Sequence, residues 1–292
     1  MKTKNGKFAQ RLLGSAVVGL ALLALPERAE AQEILLTGPL AGAPAVRKLR
    51  LYREGRFEFA PAVTFTLLDE YQRTILLGAR LQYNFTDWLG LGAWGAYGGL
   101  LQLPTALTEH IQEQNAIRRG PTRAPDDLER RLTALNLGPD FEDQLGGIEW
   151  VVSPQITAVP FRGKLALFQS IYLDTDLYFF GGPAFIGLEE RGNCEDACGN
   201  LVGDFPRATR TAIAPTFGLG FTFYMAKWAG LGFAWRGLPF AWNTGGFDTA
   251  GGGKDQEFPD NKITDADQQF RFNQLLTVSF NIYLPTQYRI SE

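Results

Sequence analysis

Apolar and polar residues alternate with a period of two over long stretches of this chain, most regularly in QFRFNQLLTVSFNIYL, from Gln269 to Leu284. One face carries Phe270, Phe272, Leu276, Val278, Phe280, Ile282 and Leu284, interrupted only by Gln274. The other carries Arg271, Asn273, Thr277, Ser279, Asn281 and Tyr283, interrupted only by Leu275. Such alternation places the two sets on opposite sides of a β-strand. The run exceeds an ordinary globular strand and is long enough to cross a bilayer, for which a tilted strand needs about 9–11 residues.

The same pattern recurs upstream. Phe57, Phe59, Val63, Phe65 and Leu67 alternate with Arg56, Glu58, Ala60, Thr64 and Thr66. Ile75, Leu77, Ala79, Leu81, Tyr83 and Phe85 alternate with Thr74, Gly78, Arg80, Gln82 and Asn84, and a third strand runs from Leu89 to Gly98. Less regular segments, Gly147–Pro160 and Leu165–Leu188, supply two more. Ile213 to Phe223, the segment bearing Leu231, Phe233 and Trp235, and the closing run bring the total to eight. Connections after the second, fourth and sixth strands read as short, at Thr86-Asp87, Phe161–Lys164 and Met225–Lys227. Those after the third, fifth and seventh read as long, at Leu100–Gly146, Glu189–Thr209 and Asn243–Gln268. Short turns on one side and long loops on the other are the habit of outer-membrane barrels, with both termini on the turn side. The pattern therefore predicts an all-β fold: an eight-stranded antiparallel up-and-down transmembrane β-barrel over residues 55–292, with a short helical insertion in the extracellular loop 100–146.

Targeting signals fit that location. Lys2, Lys4, Lys7 and Arg11 precede an apolar run from Leu12 to Leu25, and Ala29-Glu30-Ala31 offers a small-x-small cleavage site, as in a signal peptide spanning residues 1–31. Residues 32–54 then form a periplasmic N-terminal segment, and the location is the outer membrane of a Gram-negative bacterium. Removing five basic and two acidic residues with the signal leaves 23 basic against 29 acidic, near −6. That balance argues against nucleic-acid binding, which needs a basic footprint. The 33 glycines and 22 phenylalanines suit curved, lipid-facing β-structure.

Tyr83, Phe85 and Trp88 cluster at one short turn, Tyr224 and Trp228 at another, and Trp150, Trp235, Phe240 and Trp242 toward the opposite rim. This is the placement expected of interfacial aromatic girdles. The stretch from Gly55 to Gly99 also resembles the outer-membrane β-barrel domain proteins abundant in myxobacteria. The resemblance is carried by LYREGRFE (Leu51–Glu58), DEYQRT (Asp69–Thr74) and FTDWLG (Phe85–Gly90), and more loosely by FFGGPAFIGLE (Phe179–Glu189). It implies the barrel and its location, and it supplies no catalytic residues.

Candidate chemistry is sparse. Gly90, Gly92 and Gly95 match a dinucleotide-binding spacing, but they lie inside a strand with no helix following, so no cofactor is expected. Cys194 and Cys198 are the only cysteines, and in an exported protein they are expected to form a disulfide at the tip of a loop. His110 is the only histidine and has no obvious nucleophile beside it, so no enzymatic activity and no metal site are expected. Arg56, Glu58, Arg80, Gln82, Glu149, Gln155, Asp174, Asp176 and Arg271 fall on lumen faces. An eight-stranded barrel is narrow enough for its side chains to fill, so these predict a charge-paired polar plug. In the long insertion, Pro125, Asp126 and Asp127 open a helical pattern that continues with Leu128, Leu132 and Leu135. It is expected to cap the barrel mouth or to dock an envelope protein partner. The functional expectation is a monomeric structural or interaction platform in contact with outer-membrane lipid. A narrow passive channel for small solutes and a soluble periplasmic ligand-binding barrel are the alternatives.

Overall fold

Each alternating run forms a strand, and the eight strands close in sequence order into one antiparallel barrel. The computed structural model describes residues 52–118, 141–167, 171–192, 207–256 and 263–286. The strands are β1 (Arg56–Leu67), β2 (Gln72–Asn84), β3 (Leu89–Pro104), β4 (Gly147–Leu167), β5 (Ile171–Arg191), β6 (Arg207–Tyr224), β7 (Ala229–Trp242) and β8 (Gln269–Leu284). Closure is made by β1 on β8, with Phe57 opposite Leu284 and Phe65 opposite Leu276. The side chains Thr64 and Thr277 face each other across this seam and share a hydrogen bond of 2.9 Å inside the lumen. The expected eight-stranded up-and-down barrel is therefore the observed fold.

Several boundaries differ from those the sequence suggests. Phe161–Lys164 is not a turn: β4 runs through it to Leu167, with Arg162 opposite Asp176 and Lys164 opposite Asp174. A register shift between Ala158 and Phe161 takes up Pro160, which has no N–H to give the ladder, and the strand resumes beyond it. β3 likewise continues past Gly98 to Pro104. The connection after β1, at Leu68–Tyr71, is also tight, although it lies at the rim that carries the long loops.

The described helix, α1 (Ala106–Arg118), lies earlier in the insertion than the one expected near Asp126–Leu135, which falls outside the described residues. α1 begins where Thr105 meets the β1–β2 turn. The Thr105 backbone N–H donates to the Tyr71 carbonyl at 2.9 Å, and the hydroxyls of Thr105 and Thr108 donate to the carbonyls of Glu70 and Tyr71. Tyr71, Phe141 and Phe247 then stack on one another at 5.6–5.9 Å between centroids. Three separate connections are thereby tied together over the barrel's loop rim. The signal segment and Cys194 and Cys198 also lie outside the described residues.

The two faces of the wall differ as the alternation requires. Phe57, Phe65, Leu81, Ile156, Ile213 and Phe221 point outward and are exposed, and β1 alternates between buried and exposed along its length. Inward positions mix very small residues with very large ones. A Cβ at Gly218 would lie 2.4 Å from the Phe180 ring and 2.2 Å from the Trp235 carbonyl, so only glycine fits there. Replacement Gly218→Val is expected to prevent barrel closure, since overpacking of this kind costs about 1–3 kcal/mol or more. Gly163→Ala, where nothing lies within 4 Å, is expected to be neutral. The fraction of heat-modifiable folded protein on an unheated gel measures both.

Candidate functional site in the barrel lumen

The lumen is filled in layers from the turn rim to the loop rim. At the turn rim the plug is Arg53, which precedes β1 and is 1% exposed. Its Nε–H donates to the Tyr224 hydroxyl at 2.9 Å, its Nη2 donates to the Tyr283 hydroxyl at 3.2 Å, and Nε lies 3.2 Å from the Asp176 carboxylate. Tyr224 in turn donates to Asp176. The backbone N–H groups of Arg53 and Glu54 donate to Asp87 Oδ1 at 2.8 and 3.1 Å, which pins the segment to the β2–β3 turn. Arg162, on the extended part of β4, bridges Asp87 at 3.4 Å and Asp176 at 4.0 Å. Arg56 stands over the Tyr283 ring at 5.6 Å and donates to the Tyr283 carbonyl at 3.1 Å.

Above this layer Glu58 and Arg80 form a fully buried ion pair, and Arg80 lies 4.9 Å above the Tyr178 ring. Gln82 is held on both ends: it donates to Asn84 Oδ1 at 2.8 Å and accepts from the Thr157 hydroxyl at 2.7 Å. Higher again, the Arg236 guanidinium sits 4.2 Å from the Trp94 ring and 4.3 Å from Phe180. It donates to Gln155 Oε1 at 2.7 Å and to the Thr216 hydroxyl at 3.1 Å. Among the described residues no carboxylate pairs with it. The loop-side half of the lumen is apolar instead, filled by Leu76, Val151, Ile186, Leu188, Leu238 and Leu275 with their neighbours.

The residues singled out from sequence are therefore spread along the lumen. Arg56, Glu58, Arg80, Gln82 and Asp176 come together in its turn-side half, with Asp174 half-buried near the rim. Glu149 does not join them, because the irregularity between Ile148 and Trp150 interrupts the pairing around it and leaves it half-buried. Arg271 lies at the far rim, 3.1 Å from Glu70. Among the aromatics, Phe85, Trp88 and Trp228 are exposed at the turn rim, and Tyr83, Trp150 and Trp235 are half-buried in the wall. Tyr224 is a correction: it is 3% exposed and points inward, on the face of Thr216 and Thr222, and its hydroxyl is bound between Arg53 and Asp176. Phe240 and Trp242 also turn inward, into the apolar cluster. His110 stands on the exposed surface of α1, 3.8 Å from Glu113. Gly90 and Gly92 face the lumen and make room for Gln82.

Sequence reasoning missed Arg53, Trp94, Tyr178 and Arg236. Arg236 was legible in principle, since it follows the outward Trp235 by one position. Arg53 was not, because it precedes the strand and no alternation applies to it.

At the loop rim, Glu190 accepts from Arg210 at 2.7 Å and from the Asn243 backbone N–H at 2.7 Å. Arg191 donates to the Gly246 carbonyl at 2.9 Å. Asp69, in the β1–β2 turn, borders a cavity of about 200 Å³ with Glu70, Tyr71 and Arg271. Burial pushes its carboxyl up to about 6, against the opposing pull of Thr66, Arg271 and Arg73.

No protein-family model and no curated protein matches the chain. Among solved structures it is similar to the N-terminal β-barrel domain of Pseudomonas aeruginosa OprF, at 7% identity and TM-score 0.39, covering 79% of this chain and 98% of that one. It is similar to OprG from the same organism at 10% identity and TM-score 0.38, covering 80% and 98%. It is also similar to the Yersinia pestis attachment invasion locus protein Ail, solved with the heparin analogue sucrose octasulfate, at 10% identity and TM-score 0.32, covering 79% and 98%. Identities and scores at this level transfer no partner and no activity.

Two outcomes follow from the geometry. Arg53→Met removes the nearer of the two arginines on Asp176, leaving it Tyr224 and the more distant Arg162, so unfolding free energy in detergent should fall by up to about 3 kcal/mol, read from urea titration of tryptophan fluorescence. For Asp69 the raised value favours the protonated fold: its stabilising effect is complete below about 4 and is lost as pH rises through about 6. Asp69→Asn should flatten the fall in thermal midpoint between pH 4 and 6.

Proposed function

We propose that this chain is an exported, monomeric, integral outer-membrane barrel, of the kind abundant in myxobacteria, whose filled lumen makes it a structural or interaction platform in the Gram-negative envelope. The observation that carries this reading is the inversion of its faces. Large apolar side chains such as Phe57, Phe65, Leu81, Ile156, Ile213 and Phe221 cover the outside of the barrel, while ion pairs and hydrogen-bonded polar groups occupy its inside. Exposed phenylalanines ringing a closed wall would aggregate in water and are at home in lipid. A soluble ligand-binding barrel would need the opposite arrangement.

Filling argues for a platform over a channel. Arg53 closes the turn side, and the apolar cluster around Leu76 and Leu238 closes the loop side. A hydrophobic constriction of that kind resists wetting and therefore ion passage. What the barrel offers the outside is its loop rim, where α1 exposes Leu107, Glu109, His110 and Glu113. We take the insertion 100–146 as the surface for an envelope protein partner, and an oxidised Cys194–Cys198 pair as a clasp on the neighbouring loop. No chemistry is assigned to the lumen, and the reading is non-enzymatic.

Fractionation of expressing cells, followed by gels of heated and unheated samples, tests the assignment. The protein should partition with the outer membrane and migrate faster unheated than heated. Recovery from the soluble periplasm with no mobility difference would sink it. In planar bilayers the purified protein should give no sustained conductance; steady open-channel currents would replace the platform with the channel.

A further inference from the structure

Midway along the lumen the side chains border a cavity of about 20 Å³, lined by Arg80, Arg236, Trp94, Tyr178 and Phe180 among others. Its charge is unbalanced: two guanidinium groups line it, and among the described residues the one carboxylate in contact with either is Glu58, on Arg80. The polar atoms left over around it are mostly donors. The N–H groups of Trp94 Nε1 and Arg80 Nε are buried without an acceptor, while Gln155, just outside the lining, spends its carbonyl on Arg236 and leaves its own Nε2 without one. The leftover acceptor nearby is the second oxygen of Glu58, which does not line the cavity. All four side chains are at least nine-tenths buried, so none can turn to bulk water.

Buried donors and uncompensated positive charge are each costly, and here they converge on one space. One water-sized particle needs about 10–15 Å³ of such room, so the cavity admits a single small sphere and excludes phosphate or sulfate. A water satisfies donors but leaves the charge. A small monovalent anion satisfies both through the guanidinium and indole N–H groups, because the ring faces, negative in potential, are already taken up by the guanidiniums.

We propose that the centre of the lumen is a chloride-class anion site formed by Arg80, Arg236 and Trp94. The site belongs to the folded barrel and does not depend on whether the lumen conducts or what the loops bind. Chloride then acts as a structural ion that completes the lumen.

The thermal midpoint of the folded barrel in detergent, titrated from sodium gluconate to sodium chloride at fixed ionic strength, tests this. A saturable rise with chloride is expected, since a ligand bound only by the folded state stabilises it. Trp94→Phe keeps the ring against Arg236 and removes one donor, so the half-saturating chloride should rise by about tenfold. Arg236→Gln should abolish the dependence, and Trp94→Phe carries the test if that variant does not fold. Crystals grown in bromide should show one anomalous peak within hydrogen-bonding range of Trp94 Nε1. A midpoint insensitive to the exchange, an equal response in Trp94→Phe, or no bromide peak would mean that a water fills the cavity, and the proposal falls.

Discussion

Because β1 pairs with β8, every strand in this protein has a neighbour on both sides, and the wall can present an apolar face outward without leaving an unpaired edge. That closure also fixes the space inside. With eight strands the lumen is about as wide as the side chains that point into it, so each inward residue must be chosen against those facing it. Large and small residues accordingly alternate around the ring. Gly218 and Gly220 on β6 lie opposite Phe180 and Tyr178 on β5, and a Cβ on either glycine would collide with those rings. The rings, once admitted, supply the faces on which Arg80 and Arg236 rest. Backbone closure thus leads through glycine placement to the position of the buried charges.

Charge inside such a wall is tolerable only when partnered. The turn side solves this with carboxylates and phenols: Asp176, Tyr224 and Tyr283 receive Arg53, and Glu58 receives Arg80. Further up, Arg236 is met by an amide oxygen, a hydroxyl and two aromatic faces. The difference is one of supply. Trp94, Phe180, Ala234 and Leu238, buried around Arg236, cannot carry a counter-charge.

Much of the architecture was legible because period-two alternation is a property of the backbone itself. Even the two faults in the closing strand have physical reasons. Gln274 sits on the outward face because it accepts a hydrogen bond from the Trp235 indole N–H at 3.0 Å. Leu275 turns inward between Thr66 and Arg236, its cross-strand neighbours, and packs into the cluster with Leu76 and Leu238. What alternation could not give was anything decided by pairing register or by residues outside strands. Phe161–Lys164 looked like a turn because Pro160 and Gly163 are turn residues, yet a local shift of register absorbs the proline. Tyr224 looked like a girdle residue because it ends a strand beside Trp228. Alternation from Thr216 and Thr222 already turns it to the lumen side, and Arg53, which arrives from outside the barrel, binds its hydroxyl there. The lumen's division into a polar and an apolar half was hidden, since it emerges only when inward residues of eight strands are set at a common height.

That division bears on what the barrel can do. The turn side is closed by an electrostatic latch, Arg53 on Asp176 and two tyrosines, which a change of charge or partner can release. The loop side is closed by packed aliphatic and aromatic groups, which answer to volume and not to charge. Between them lies the cavity bounded by Arg80 and Arg236. Opening a path from one side of the wall to the other would require two unrelated changes at once. The loop rim is insulated in the same way. Its ties, Tyr71 with Phe141 and Phe247 and Glu190 with Arg210, are made among loops and strand ends above the apolar layer. The contacts that hold the loops are therefore separate from those that hold the buried charges below.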